Sequence, residues 1–266
     1  MENDEKIIQV DNLRYVEPQQ SANTLFKFMK KLEYLKPIIE TGAIIPRYNI
    51  EIIDYLGLQI IDEIAFPMSC FCDINLTKLS LHAERYGYYG IGLKKEYLYK
   101  NIDIEPIHYV NSKSNEINDF REAFSIALKE NEQSEQALAN YLLTSLLYMK
   151  PIQGYMYNSN EKKLLCFHDE REWRYIPKIK ENELTPILWG NNMTRKYIEL
   201  SNKVLANKNK YWLKFTTKDV NYIIVKDEKE CIELAEYIRK LKKYNQKQKM
   251  SLISKIIVLD NLGKDW

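Results

Sequence analysis

Hydrophobic positions along the chain change period several times, and each change marks an element. Leu25-Phe26-Lys27-Phe28-Met29 is an apolar run of strand length. Leu32, Leu35, Ile38 and Ile39 then recur at helical spacing, and Thr41-Gly42 supplies a stop. Pro37 inside that run predicts a short or bent helix. Ala43-Ile44-Ile45-Pro46 reads as extended. Ile64–Ile74 predicts a long strand, and Leu76, Leu79, His82 and Ala83 a helix ending at Gly87. Tyr88–Leu93 predicts a strand with two glycines, and Pro106–Val110 a short one. Phe120, Phe124, Ala127 and Leu128 form one helical stripe; Leu138, Leu142, Leu146 and Met149 form another. Residues 131–135 separate the two helices and Pro151 closes the second. Leu164–Ile176 predicts one strand and Asn191–Leu205 a helix. Trp212–Phe215 and Tyr222–Val225 read as strands, Glu228–Tyr244 as a helix, and Lys255–Leu259 as a last strand. No repeat and no Gly/Pro/Ser-rich linker divides the chain. The pattern predicts a polar arm over residues 1–20 and a single α+β domain over 21–266, with a helical insertion at about 115–150.

Composition narrows the function classes. The chain has 266 residues, enough to bury a sizeable core, and 45% hydrophobic against 29% charged residues excludes wholesale disorder. Its 39 basic and 37 acidic residues leave a net charge of +2, too weak a field to argue for nucleic acid or membrane. No apolar run approaches the ~18 residues of a membrane span, and Met1–Lys6 does not open like a signal peptide. A cytoplasmic location is the expectation. The four cysteines show neither a CxxC nor a zinc spacing, so no metal is expected and the thiols read as small apolar residues. The run from Arg239 to Lys249 carries six basic residues and no acid, which suits a solvated helix end or phosphate contacts.

Two segments carry candidate chemistry. In His168-Asp169-Glu170-Arg171-Glu172-Trp173-Arg174, a strand places Glu170, Glu172 and Arg174 on one half-exposed face. Two carboxylates beside a guanidinium suit recognition of ribose hydroxyls or stabilisation of a developing cation; the alternative is a solvated strand face. Only eight arginines occur in the chain, and two of them flank Trp173. In His82-Ala83-Glu84-Arg85-Tyr86-Gly87-Tyr88-Tyr89-Gly90-Ile91-Gly92, the glycine spacing does not match a dinucleotide fingerprint. It still allows close backbone approach, and the interleaved tyrosines can stack on a flat ring or cover the core.

These motifs, with Ser21-Ala22-Asn23-Thr24-Leu25-Phe26, Pro46-Arg47-Tyr48 and Pro67-Met68-Ser69-Cys70-Phe71-Cys72-Asp73-Ile74, resemble the AbiGi family over roughly residues 21–180. That resemblance implies a bacterial abortive-infection role in phage defence, with an antitoxin label in a two-component system. A looser likeness, in the layout of Leu25–Met29, the Leu32–Ile39 helix, Gly42 and Ile44-Ile45-Pro46, is to ADP-ribosyltransferase-like domains. It implies a mixed sheet with a split core, and NAD as co-substrate for ADP-ribose transfer to a nucleic acid or protein. In those terms Glu172 or Glu170 is the catalytic carboxylate, Arg47 or Arg174 holds the pyrophosphate, and Tyr86, Tyr88 or Tyr89 stacks on nicotinamide or adenine. Lys27 and His82 complete the expected cofactor set. Lys27 stands where such domains carry His, and Met29 where they carry Thr or Ser. The rival expectation is a non-catalytic antitoxin or sensor module that binds a partner toxin or a phage component through a Tyr-rich surface.

Overall fold

The structure, a computed structural model, describes residues 21–59, 61–127, 133–158 and 161–262. The predicted arm over 1–20 and residues 131–132 of the expected 131–135 separator lie outside the described residues, while 133–135 already belong to the second insertion helix.

The chain opens with β1 (Thr24–Met29), α1 (Leu32–Thr41), β2 (Ala43–Ile44) and β3 (Arg47–Ile52). β4 (Glu63–Cys72), α2 (Leu79–Tyr86), β5 (Tyr89–Lys94), α3 (Lys95–Asn101), β6 (Ile104–Pro106) and β7 (His108–Val110) follow. The insertion comprises α4 (Asn115–Ala127) and α5 (Gln133–Leu147), and β8 (Met149–Pro151) returns the chain to a hairpin, β9 (Gln153–Asn158) and β10 (Glu161–Cys166). β11 (Glu172–Tyr175), α6 (Arg195–Ala206), β12 (Leu213–Lys214), β13 (Val220–Val225), α7 (Glu228–Lys240), α8 (Gln246–Ile253), β14 (Ile256–Val258) and α9 (Leu259–Leu262) complete it.

The main sheet is mixed, in the order β14-β13-β5-β1-β4-β11-β6, with β3 also paired to β4. β13 and β14 run parallel, and α7 and α8 form the crossover that a parallel pair needs. α1 buries Leu32, Leu35 and Ile39 and runs through Pro37 to a left-handed Gly42, whose N–H bonds the Ile38 carbonyl. Its apolar stripe, with Leu234 and Ile238 of α7, covers Leu25, Ile91, Leu93 and Ile223 on one sheet face. A second core lies between β3–β4 and the insertion, where Phe66 and Met68 meet Ile117, Phe124 and Leu146.

Several elements differ from the periodicity. The expected strand Leu164–Ile176 is broken: β10 pairs only with β9, a 3-10 turn occupies Phe167–Glu170, and Arg171 is left-handed at φ 44°. The chain must turn there to leave the hairpin and enter the main sheet. Pro106–Val110 divides in two, because β6 pairs with β11 while β7 pairs with β8. The second insertion helix ends at Leu147, so Met149 and Pro151 belong to a strand, and Leu138 is exposed. The Glu228–Tyr244 helix stops at Lys240, and a separate helix, opened by an Asn245/Gln248 capping box, begins at Gln246.

One feature of the sheet positions the site. β3 pairs with residues 63–68 of β4, while β1 meets β4 at a single position, Phe26↔Cys72. Both lie on the edge of β4 opposite β11, so 69–71 are laddered on the β11 side alone. The sheet therefore splays between β1 and β3, and a cleft opens over the gap.

Candidate functional site

The cleft has a volume of about 280 Å³ and draws its walls from six parts of the chain. β1 gives Phe26, Lys27 and Phe28; β4 gives Cys70, Phe71 and Cys72; α2 gives His82 and Tyr86. Glu51, Lys150, Glu170 and Glu172 close it. The strand register explains the core of this set. Glu172 lies opposite Cys72 and Arg174 opposite Cys70, so strand alternation turns all four to the face that Phe26 shares.

The charged groups form one buried chain of ion pairs. Arg174 is 1% exposed; its Nε donates to Glu172 Oε1 at 2.8 Å, one Nη to Glu51 Oε2 at 2.8 Å and the other to the Leu147 carbonyl at 2.7 Å. Lys150 Nζ donates to Glu172 Oε2 at 2.8 Å and Glu170 Oε2 at 3.0 Å. The Tyr86 hydroxyl donates to the other Glu170 oxygen, and the Glu172 backbone N–H donates to the Tyr109 hydroxyl. Burial alone would raise the Glu172 carboxyl, but Arg174 and Lys150 together hold it well below the usual carboxylate range. Burial would likewise lower Lys150, yet Glu172, Glu51 and Glu170 hold it above its ordinary value. Burial, with Glu170 beside it, pushes the Tyr86 hydroxyl up. It also raises the thiols of Cys70 and Cys72, so neither is a thiolate at neutral pH.

Lys27 stands apart from that chain. Its Nζ lies 5.9 Å from the centre of the Phe71 ring and has no hydrogen bond or ion pair among the described residues. Burial lowers its pKa, against a smaller opposing pull from Cys70 and Glu172. His82 lies between Phe28, at 5.3 Å between ring centres, and Tyr86, at 4.5 Å. Burial and the nearby Arg85 bring its pKa down to about 4, so the imidazole is neutral at pH 7. The cleft thus combines aromatic and thiol walls, one uncommitted ammonium, a neutral imidazole and three anchored carboxylates.

Of the sequence-predicted residues, Lys27, His82, Tyr86, Glu170, Glu172 and Arg174 converge here. Glu170 arrives from the 3-10 turn and not by strand alternation, and Glu172 is 6% exposed rather than half-exposed. Arg174 is wholly engaged inside the protein, behind the cleft wall. Three residues stay out. Arg47 is exposed and lines a separate hollow with Glu199 and Lys203. Tyr88 is partly exposed with Lys226 over its ring, 5.5 Å from the centre. Tyr89 points to the opposite face, where its hydroxyl bonds Glu230 at 2.5 Å. The glycines do not line the cleft either: a Cβ on Gly87 would lie 2.2 Å from the Met29 carbonyl oxygen, so its freedom serves backbone packing.

The periodicity missed Lys150 and Glu51. Lys150 had a signal: a lone lysine between Met149 and Pro151 in an apolar run. Glu51 had none, since it sits in an ordinary alternating strand. Among the described residues, no group of three or more His, Cys, Asp or Glu could hold a metal ion, and no helix is long and apolar enough to cross a membrane.

Comparison with known proteins places the chain. No solved structure matches it. A family model described as "Putative abortive phage resistance protein AbiGi, antitoxin" matches residues 42–226, which include β4, α2, the insertion and β11. The abortive phage resistance protein AbiGi of Lactococcus lactis subsp. cremoris is 34% identical over 249 residues, covering 84% of this chain and 100% of that relative. The chain belongs to the AbiGi family of abortive phage-resistance proteins.

Proposed function

We propose that this protein acts in abortive-infection phage defence and that the cleft at the splayed sheet binds the nicotinamide–ribose half of NAD, in the manner of an ADP-ribosyltransferase-like domain. The observation that carries this reading is Lys27, an ammonium without a hydrogen bond or ion pair among the described residues, lining a cleft with aromatic walls and three fixed carboxylates. Lys27 donates to a ribose hydroxyl or phosphate oxygen, Tyr86 and Phe28 bound the ring, and Glu170 and Glu172 face the ribose. At about 280 Å³ the cleft is small for a ligand site, so the adenylate half lies outside it.

A second reading is favoured by one observation: both oxygens of Glu172 already accept charge-assisted hydrogen bonds. A carboxylate so engaged suits a structural anchor, and the family's antitoxin label then implies binding to a toxin partner without turnover.

Titration calorimetry with NAD, a nicotinamide-release assay and phage challenge of expressing cells test both. Lys27→Met is the informative variant, because removing an unpartnered, desolvated ammonium costs the fold little. NAD binding that falls at least about tenfold in Lys27→Met, at an unchanged melting temperature, supports the cleft reading. Binding without nicotinamide release supports the non-catalytic form. Wild-type protein that does not bind NAD sinks the cleft reading and leaves the antitoxin one.

A further inference from the structure

Two lysines line the cleft, and their surroundings are opposite. Lys150 Nζ is clamped by Glu170 at 3.0 Å and Glu172 at 2.8 Å, and the carboxylates around it hold its pKa above the ordinary value. Lys27 has no hydrogen bond or ion pair among the described residues, and its Nζ lies 5.9 Å from the centre of the Phe71 ring. An ammonium carries three N–H donors and no acceptor, so leaving all three without a protein partner inside the fold is costly. Burial accordingly lowers the pKa of Lys27, and a larger share of it is free amine at neutral pH than of a surface lysine. The residue still keeps part of its surface open, on the cleft that it lines. One lysine of the cleft is thus a fixed cation, and the other has the surroundings of a nucleophile.

The charges around the cleft decide what this amine becomes. Glu51, Glu170 and Glu172 line it, and Arg174 and Lys150 are the cations paired with them. Three acids against two bases leave one negative charge in excess. The neutral imidazole of His82 does not offset it, and Arg47 and Arg85 are exposed and outside the lining. Acylation of Lys27 would make a neutral amide and leave the excess unbalanced. An imine keeps a basic nitrogen. When protonated, it supplies the balancing charge with one N–H to satisfy in place of three, and it spreads that charge over the C=N bond. Conjugation to a ring spreads the charge further, and Phe28, Phe71, His82 and Tyr86 give such a ring flat walls.

We propose that Lys27 is a covalent capture site for a small aldehyde carried on a flat aromatic ring. The Nζ lone pair attacks the carbonyl carbon and forms the C–N bond, while the C=O π pair moves to oxygen, which takes the proton that nitrogen gives up. The hydroxyl of this carbinolamine then takes a proton from solvent and leaves as water, and the nitrogen lone pair closes a C=N bond whose nitrogen keeps one N–H and the positive charge. No oxidant or reductant enters the step. At about 280 Å³ the cleft holds one ring with its carbonyl and little more. The proposal needs only the amine and the aromatic walls, so it stands whether or not the cleft binds NAD.

The test incubates the full chain with benzaldehyde at neutral pH and traps the imine with cyanoborohydride, whose hydride fixes it as a secondary amine. Peptide mass spectrometry then reads the modified positions over time. Lys30 and Lys31, both exposed, are the internal references. Lys27 should be labelled at least about tenfold faster than either, the gain in free amine from one unit of lowered pKa. Propanal, an aldehyde without a ring, should label Lys27 more slowly than benzaldehyde does. Lys27→Arg keeps the charge and should lose the fast label while Lys30 and Lys31 keep theirs. Labelling of Lys27 no faster than of Lys30 and Lys31, no label at Lys27, or propanal labelling it as fast as benzaldehyde overturns the proposal; all three are read on the unmutated chain, so none depends on whether a variant folds.

Discussion

Glu172→Gln changes one atom of the shape and removes the charge at the centre of the ion-pair chain. Glu172 accepts from Arg174 Nε and Lys150 Nζ, each at 2.8 Å. Glutamine keeps a single acceptor oxygen, so its amide NH2 faces whichever donor the oxygen does not take. A charge-assisted hydrogen bond contributes about 1.5–3 kcal/mol, and removing one partner of a buried pair costs about 3–5 kcal/mol. Here the stranded cations keep other acceptors: Glu170 still holds Lys150, and Glu51 and the Leu147 carbonyl still hold Arg174. The expected loss is therefore at the low end, about 3 kcal/mol, from a total of about 5–15 kcal/mol for a domain. Urea unfolding at pH 7 measures it as a lower midpoint at an unchanged slope. The pH dependence gives a second check. A carboxyl held below its ordinary range stabilises the fold fully above the unfolded value of about 4.3. That contribution is lost as the pH falls through the depressed folded value. The gap between wild type and Glu172→Gln should therefore narrow below about pH 4.3. A loss under about 1 kcal/mol at pH 7, or a gap that does not narrow in acid, would refute the buried-hub account.

Two other perturbations follow from the geometry. Gly87 sits at φ 110°, and a Cβ there would lie 2.2 Å from the Met29 carbonyl oxygen. Gly87→Ala should cost at least about 1–3 kcal/mol and lower melting temperature and phage protection together; loss of protection at full stability would restore a ligand role for that turn. His82 is neutral in the fold down to about pH 4, whereas the unfolded chain takes up its proton near pH 6.5. Its burial thus lowers stability progressively as the pH falls from about 6.5 toward 4. His82→Phe keeps the aromatic stack and should gain on wild type across that window, measured by thermal unfolding at pH 7.5 and 4.5; a pH-independent difference would contradict a buried, desolvated imidazole.

What the sequence revealed depended on whether local period and tertiary pairing agreed. α1 was legible because Leu32, Leu35 and Ile39 and the Gly42 stop all serve the same packing. The segment 164–176 was not: its apolar run continues through a point where the chain must leave a two-stranded hairpin, and Arg171 turns left-handed without a glycine to mark it. The site was half legible. Glu172 and Arg174 share a face by strand alternation, as their spacing predicts. Glu170 reaches the same Lys150 through a turn, so the correct pairing of the two glutamates came from a wrong local geometry. Arg47, Tyr88 and Tyr89 misled because an arginine after proline and tyrosines beside glycines say nothing about which way a side chain faces. Tyr89 is decided by register alone: it lies opposite Met29, on the α7 side.

The glycines of β5 act on the cleft at one remove. A Cβ on Gly92 would meet the Phe26 ring at 2.8 Å, and one on Gly90 the Phe28 ring at 3.1 Å. Without those atoms, both rings lie flat across β5, and the same rings form the wall of the cleft beside His82. The opposite wall is set by the insertion. Leu146 packs in the second core, the next carbonyl, Leu147, accepts from Arg174, and Lys150 then clamps Glu170 and Glu172. One short stretch of chain, 146–150, therefore joins the second core to the cleft, and packing around Leu146 bears on the segment that fixes the two carboxylates. Contact of this kind is a route for coupling and not yet a coupling energy. Leu146→Ala in the second core, combined with Lys27→Met in the cleft, forms a cycle with no shared side chain. Additive effects on NAD binding would mean that core and cleft act independently, and a departure from additivity would measure what passes through residues 146–150.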